Sequence, residues 1–189
     1  MGNERVRSFV AIDIDSPSIL SAVSAAQQDL RATGADLKLV ELRNMHLTIW
    51  FLGEIPHQTL ESVKEALRGV KFSPFDLRLA GIGYFPGGRS VRVIWAGVED
   101  PAGQLNQIYG QLRDRFAPLG FKPERRGFSP HFTMARVRSS RGRDTLLERI
   151  GDMRSTVLGL QHVDALKLKR SDLTPKGPIY SDLHAVPGE

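Results

Sequence analysis

Two hydrophobic periods alternate along this chain, one typical of strands and one typical of helices. RSFVAIDI (residues 7–14) and VRVIWAGV (residues 91–98) are short runs rich in β-branched residues, which predicts strands. Between them, apolar residues recur three and four positions apart. In SPSILSAVSAAQQDLRATG this spacing predicts a helix with Ser16 as N-cap, Pro17 at its first position and Gly34 as its stop. The alternation indicates an α+β fold.

The same two patterns predict the remaining elements. Further strands are expected near residues 37–42, 46–52, 75–85, 121–124, 131–137, 163–169 and 179–185, and further helices near residues 58–70, 100–120 and 144–153.

A short phrase, His-x-Thr-x, occurs twice, each time inside a strand-like run. NMHLTIWFL contains His46 and Thr48, and SPHFTMARV contains His131 and Thr133. The histidines are 85 positions apart, from residue 46 to residue 131. On a strand, side chains at i and i+2 point the same way, so each His and Thr share one face.

The 85-residue offset indicates an internal duplication. We expect two repeats, at about residues 7–86 and 90–186. No Pro-, Gly- or Ser-rich linker separates them, so residues 1–189 are predicted to form a single bilobal domain.

Two imidazoles and two hydroxyls in one cleft suit a phosphodiester substrate. One neutral histidine can take a proton from the nucleophile, and the other, protonated, can donate one to the leaving oxygen. The threonines can donate hydrogen bonds to the non-bridging oxygens as charge builds there.

Charge favours a polyanionic partner. The net charge is +5, but the segment from Lys122 to Arg143 contains seven basic residues against one acid, Glu124. Such a local excess suits nucleic acid, although a solvated basic face has the same pattern. Within it, Arg125 and Arg126 are our candidates for RNA binding.

Composition excludes several other classes of protein. Cysteine is absent, which excludes disulfides, thiolate metal sites and cysteine nucleophiles. No apolar run approaches the roughly 18 residues of a membrane span, and nothing resembles a signal peptide, so we expect a cytoplasmic protein without a membrane partner. Acidic residues are also missing near the motifs: Glu54 is the first after His46. No metal site is therefore expected.

The paired motifs resemble those of the 2H phosphoesterase superfamily, specifically the RNA 2′,3′-cyclic phosphodiesterases, also called 2′-5′ RNA ligases. The resemblance extends over nearly the whole chain, through RSFVAIDID, NMHLTIWFLGE, VRVIWAGV, FSPHFTMARV and SDLTPKGPIYSDLHAV. It implies a bilobal, pseudo-symmetric α+β fold, with two antiparallel-rich sheets, helices outside and a central cleft. Trp50 is a departure, because the family usually has a smaller or basic residue there.

The resemblance also implies residue roles. His46 would be the proton donor, His131 the proton acceptor, and Thr48, Thr133 and Arg136 the phosphate ligands. Arg136 lies five residues beyond His131 and would face away from the cleft on a regular strand. Either the strand is bulged or twisted there, Arg136 acts from the rim, or it belongs to a basic surface.

The predicted substrate is an RNA end with a 2′,3′-cyclic phosphate, for example a tRNA fragment, since only RNA has the 2′-oxygen of this ring. The enzyme would act as a monomer without a cofactor. Hydrolysis would leave a 2′-phosphomonoester, and the reverse reaction would join ends through a 2′-5′ linkage. Two alternatives remain open: a phosphodiesterase for a small nucleotide (a cyclic phosphate of ADP-ribose or a 2′-5′ oligoadenylate), or a non-catalytic RNA-binding module.

Overall fold

The computed structural model describes residues 4–124, 127–175 and 177–189. Nine strands and four α-helices follow one another in these ranges, with short 3₁₀ turns at Leu42–Asn44 and Ala117–Leu119. In chain order the elements are β1 (Arg5–Asp13), α1 (Pro17–Ala32), β2 (Leu37–Leu39), β3 (His46–Pro56), α2 (Thr59–Arg68), β4 (Phe75–Gly87), β5 (Ser90–Glu99), α3 (Gln104–Phe116), β6 (His131–Val137), α4 (Arg143–Asp152), β7 (Val157–Val163), β8 (Ala165–Thr174) and β9 (Gly177–Pro187).

The strands form two antiparallel sheets. Sheet 1 has four strands in the order β3-β1-β8-β9, and sheet 2 has five in the order β2-β6-β5-β4-β7. Every strand pair is antiparallel. Helices α2 and α3 contact sheet 1, whereas α1 and α4 contact sheet 2. The predicted α+β class with two antiparallel sheets and packed helices is confirmed.

The two sheets do not coincide with the two sequence repeats. The early strand β2 pairs with β6 in sheet 2, and the late strands β8 and β9 complete sheet 1 beside β1. Likewise, α1 packs on β7 and β6 rather than on its own neighbours in sheet 1. Each sheet therefore contains strands from both halves of the sequence, and buried residues of both contribute to one continuous core.

One sequence prediction of local structure was wrong, and one strand was missed. Residues 121–124 form no strand: the backbone N–H of Phe121 instead donates to the carbonyl of Phe116, which ends α3. Strand β7 was not predicted. It lies at the edge of sheet 2 and pairs only with β4, and its Leu160 is 61% exposed, so its hydrophobic pattern is irregular.

The start of α1 differs in detail from the prediction. Ser16 is the N-cap residue and Pro17 follows it, but the Ser16 hydroxyl caps no backbone group and lies 3.0 Å from the Ser18 hydroxyl. A distant strand instead holds the residues that precede the helix: the side-chain carbonyl of Gln161 on β7 accepts the backbone N–H groups of Asp15 and Ser16 at 3.1 and 3.2 Å. Tertiary contacts therefore position the start of α1, whose N-terminus has no side-chain cap from Ser16.

Trp50, the departure noted in the sequence, packs between sheet 1 and α3. Its side chain is 4% exposed, and its ring centroid lies 5.2 Å from that of Tyr109 and 5.6 Å from that of Phe116. Trp50 therefore lies on the helix-covered side of β3, opposite to the side of His46 and Thr48 that faces the cavity described below. Among the described residues, no helix is long and apolar enough to cross a membrane.

Candidate active site

The two motif strands lie beside each other although they belong to different sheets. β3 is the outer strand of sheet 1, and it contacts β6 of sheet 2. A cavity of about 400 Å³ opens where they meet. The fold brings five predicted residues into its lining, namely His46, Thr48, His131, Thr133 and Arg136.

Strand alternation orients the motif side chains as predicted. Leu47 and Ile49 on β3 are buried, and so are Phe132 and Met134 on β6. The intervening histidines and threonines are only partly buried and face the cavity. Burial of the x positions therefore fixes the direction in which each His-x-Thr pair points.

Both histidines are held by the same backbone interaction. The Nδ1 atom of His46 lies 2.8 Å from the carbonyl oxygen of Asn44, and that of His131 lies 2.7 Å from the carbonyl oxygen of Ser129. A carbonyl oxygen only accepts, so each Nδ1 carries a proton and donates it. The neutral ring consequently has its lone pair on Nε2, the nitrogen needed for proton transfer.

Burial lowers the pKa of His46 below its ordinary value of 6.5. Desolvation of the imidazolium is the main cause, the hydrogen bond to Asn44 opposes it, and the nearby Lys169 ammonium adds to the lowering. The Asp13 carboxylate acts weakly in the opposite direction. A protonated His46 is thus a stronger acid than a histidine in water.

Aromatic rings surround each histidine. The His46 ring centroid lies 4.8 Å from that of Phe9 and 5.0 Å from that of Tyr180. On the other strand, the His131 ring lies 5.1 Å from Phe85 in an edge contact, and 6.2 Å from Trp95. These rings limit the orientation of each imidazole.

Two lysines and two aspartates form a ring of four charges on sheet 1, and one of them, Asp13, is paired with His46 in the strand register. Lys169 donates to Asp13 at 2.8 Å and to Asp182 at 2.6 Å, and Lys167 lies 2.6 Å from Asp13 and 3.2 Å from Asp182. The hydrogen bond to Asp13 contributes most to raising the pKa of Lys167 to about 12. Burial acts to raise the pKa of Asp182, but hydrogen bonds from the two lysines outweigh it and the pKa is lowered.

A β-bulge turns Arg136 into the cavity. On β6, Ala135 pairs with Ile94 and Thr133 with Trp95, so Met134 is the additional, unpaired residue. Met134 and Ala135 are both fully buried, and the alternation resumes with Arg136 on the same side as Thr133. Of the alternatives left open by the sequence, the structure contains the bulge.

The same bulge occurs on β3. Thr48 pairs with Ala11 and Trp50 with Val10, which leaves Ile49 unpaired. Phe51 consequently lines the cavity, with 43% of its surface exposed. Arg7 on β1 also lines the cavity, and its guanidinium carbon lies 4.7 Å from the centroid of the Phe51 ring.

The RNA-binding candidates Arg125 and Arg126 are outside the described residues. The three histidines outside the motifs do not line the cavity. His57 is exposed at the start of α2, and the Nδ1 atom of His162 lies 2.7 Å from the Asp76 carboxylate on the surface. His184 has its pKa lowered, mainly by burial, and does not line the cavity. Within residues 4–124, 127–175 and 177–189, no group of three His, Cys, Asp or Glu side chains could hold a metal ion.

Sequence reasoning missed several residues of the site. Arg7, Phe9 and Asp13 occupy alternate positions of the first strand, so its polar members signalled a face that is not core. Tyr180 and Lys169 gave no comparable signal. Pairing of β8 with β1 brings Lys169 to Asp13, and pairing of β9 with β8 brings Tyr180 to the cavity.

A comparison with protein families gives two matches. The family model described as "LigT like Phosphoesterase" matches residues 12–95 and again residues 97–180. The matched stretches are displaced by 85 positions, from residue 12 to residue 97, as are the two histidines.

Curated relatives match along nearly the whole chain, and each is named RNA 2′,3′-cyclic phosphodiesterase. The protein from Methanothermobacter thermautotrophicus is 39% identical over 183 residues, which cover 95% of this chain and 97% of that protein. The protein from Thermotoga maritima is 36% identical over 182 residues, covering 95% and 94%.

Solved structures are similar in fold. TT0787 of Thermus thermophilus superimposes with a TM-score of 0.79 at 28% identity, covering 96% of this chain and 97% of that one. E. coli LigT complexed with 3′-AMP gives a TM-score of 0.76 at 25% identity, covering 97% and 98%.

Proposed function

The chain belongs to the LigT-like phosphoesterase family, and from this premise we propose that it hydrolyses RNA ends bearing a 2′,3′-cyclic phosphate to 2′-phosphomonoesters. The relatives' shared name supports this substrate. The alignment with the protein from M. thermautotrophicus, at 39% identity, covers 95% of the chain. The observation that carries the proposal is the pair of histidines across one cavity, each with Nδ1 bonded to a carbonyl and Nε2 free for proton transfer.

In this mechanism His131 is the base and His46 the acid. Nε2 of neutral His131 takes a proton from water as the water oxygen attacks phosphorus. The bond from phosphorus to the 3′-oxygen breaks, and Nε2–H of protonated His46 gives its proton to that oxygen. The lowered pKa of His46 supports the assignment, because a more acidic imidazolium transfers its proton more readily.

Thr48, Thr133 and Arg136 would hold the phosphate. Their side chains line the same cavity as the histidines. Each hydroxyl would donate to a non-bridging oxygen, where negative charge increases in the transition state. The Arg136 guanidinium would neutralise part of that charge.

The same groups would support ligation. A 5′-hydroxyl of a second RNA end replaces water as the nucleophile, His131 removes its proton, and a 2′-5′ phosphodiester forms as the 3′-oxygen leaves with a proton from His46. The cyclic phosphate itself supplies the leaving oxygen, so the ligation consumes no nucleoside triphosphate.

The cavity size bears on the alternative substrates. A volume of about 400 Å³ is in the range of small-molecule sites, and it would hold one terminal nucleotide. An RNA would therefore place only its end inside. A small nucleotide (a cyclic phosphate of ADP-ribose or a 2′-5′ oligoadenylate) remains the second candidate for the same reason.

We further propose that the enzyme acts as a monomer in the cytoplasm, with tRNA fragments among its substrates.

The test is turnover of a short RNA with a 2′,3′-cyclic phosphate end, with product position determined by NMR. We expect a 2′-phosphomonoester from the wild type, and none above background from the variant with His46→Ala and His131→Ala. His57→Ala is the matched control, because His57 is exposed outside the cavity. A 3′-phosphate product would contradict the proposed leaving group. Activity only on small nucleotides, such as a cyclic phosphate of ADP-ribose or a 2′-5′ oligoadenylate, would favour the second candidate.

A further inference from the structure

Arg136 on sheet 2 has a counterpart on sheet 1, Arg7, which also lines the cavity and lies outside the two motifs. Phe51 and Arg136 each lie five residues past a motif histidine, and each is turned to the cavity by a bulge. Strand β6 carries its own cation at this position, whereas β3 carries an aromatic ring. Arg7 of the neighbouring strand β1 places its guanidinium over that ring, 4.7 Å from the centroid.

We propose that Arg7, stacked on Phe51, binds the phosphodiester on the 5′ side of the terminal nucleotide. This rests on the proposed function and adds a second phosphate subsite to it. The site should then prefer RNA ends, which always have such a phosphate, over nucleoside 2′,3′-cyclic phosphates, which have none.

The charge of Arg7 is available to a ligand. Among the described residues, no carboxylate oxygen lies within ion-pair distance of Arg7 or of Arg136. Other arginines of the described chain, such as Arg68 and Arg149, have an acidic partner. A guanidinium over an aromatic ring keeps its N–H groups directed outward, where they can bind phosphate oxygens in pairs.

Arg7 and Arg136 line one cavity from different sheets, because β1 belongs to sheet 1 and β6 to sheet 2. Tyr180 lines the same cavity. Burial raises the pKa of the Tyr180 phenol, and the charges of Arg136 and Arg7 both oppose the increase. Two cations therefore face the same cavity.

The donors already proposed for the reacting phosphate leave Arg7 for a second one. Thr48, Thr133 and Arg136 line the same cavity and would bind the two non-bridging oxygens of the reacting phosphate. Arg7 belongs to a different strand, β1, and lies over the Phe51 ring. The next anionic group of an RNA end is the phosphodiester on the 5′ side of the same nucleotide.

The test compares two ligands that differ only in the 5′ group. Adenosine 2′-phosphate and adenosine 2′,5′-bisphosphate are titrated by calorimetry into the wild type and into Arg7→Ala, Arg7→Lys and Arg92→Ala. Arg92 is exposed on β5 outside the cavity, so its variant controls for the loss of one charge. A fifth protein, Arg7→Ala with Phe51→Arg, moves the cation to the position equivalent to Arg136.

We expect the wild type and Arg92→Ala to prefer the bisphosphate about ten-fold, the value of one charge-assisted contact. Arg7→Ala should lose this preference and keep its affinity for adenosine 2′-phosphate, Arg7→Lys should keep part of it, and Phe51→Arg should restore it. Equal weakening of both ligands by Arg7→Ala would overturn the proposal, as would an unchanged preference. The first result would indicate a structural or base-contacting role.

Turnover separates this inference from the proposed function. The binding comparison needs no catalysis, so it decides on Arg7 even if cyclic phosphates are not hydrolysed. Where hydrolysis occurs, Arg7→Ala should raise KM for a dinucleotide with a cyclic phosphate end about ten-fold, and leave that for adenosine 2′,3′-cyclic phosphate within about two-fold. Equal increases in both KM values would also overturn the inference.

Discussion

Asp13 on β1 lies directly opposite His46 on β3 in the antiparallel register, and Lys169 donates to its carboxylate at 2.8 Å. The candidate proton donor therefore has an anion and a cation in its surroundings, with opposite effects on its pKa. Both groups belong to the four-charge ring on sheet 1, so two members of the ring modify a pKa that is lowered mainly by burial. This arrangement predicts how the pKa of His46 should respond to substitution.

We expect the His46 ring of the free enzyme to titrate with a pKa below 6.5. Burial disfavours the imidazolium and so lowers this pKa. Inorganic phosphate bound in the cavity should move the pKa upward, since the anion stabilises the imidazolium. NMR titration of the His46 ring, with and without phosphate, measures both effects. A pKa above about 7 in the free enzyme would contradict the effect of burial.

Substitutions in the charge ring should move the pKa of His46 in opposite directions. Lys169→Met removes a cation that lowers this pKa, so the pKa should rise. Asp13→Asn removes an anion that raises it, so the pKa should fall. NMR titration of the His46 ring checks the pKa directly. Lys64→Met on α2 is the control, with no shift expected.

Each single histidine variant, His46→Ala or His131→Ala, should lower turnover by roughly 10² to 10⁴-fold, the usual contribution of a general acid or base. The double variant should lose much less than the product of the two, because groups acting together are not additive. Thr48→Ala and Thr133→Ala should cost about 3 kcal/mol or less of transition-state stabilisation, for one donor each. Single-turnover rates of the five variants, compared with the wild type, measure these losses. Near-normal turnover in either histidine variant would refute the division of roles.

Activity should persist in EDTA. The proposed mechanism assigns both proton transfers to histidines and the phosphate oxygens to threonines and Arg136, so no step needs a metal ion. Rates on the cyclic-phosphate RNA before and after chelation check this. Loss of activity that added Mn²⁺ or Zn²⁺ restores would contradict it.

Trp50→Ala should destabilise the fold without changing the chemistry. Trp50 is buried against Tyr109 and Phe116 on the helix side of β3. Its truncation should lower the free energy of unfolding by about 3–5 kcal/mol, as measured by urea denaturation. KM for a cyclic mononucleotide should be unchanged in the protein that remains folded. A large change in KM with normal stability would place Trp50 in the site instead.

The sequence by itself determined the local structure of the site. Strand alternation in the two motifs was enough to predict that the histidines and threonines share a face while Leu47 and Phe132 are buried, because side-chain direction on a strand has a period of two. It was not enough for Arg136. The bulge at Met134 depends on pairing with β5, a strand more than 30 residues earlier in the chain.

Tertiary structure decided everything that depends on strand order. Periodicity predicts that β2, β8 and β9 exist, but not that β2 joins sheet 2 and that β8 and β9 join sheet 1. That exchange places Tyr180 and Lys169 beside His46, and it could not be read from local patterns. The physical reason is that burial and alternation act over a few neighbouring residues, whereas the choice of pairing partner depends on how all nine strands together cover one core.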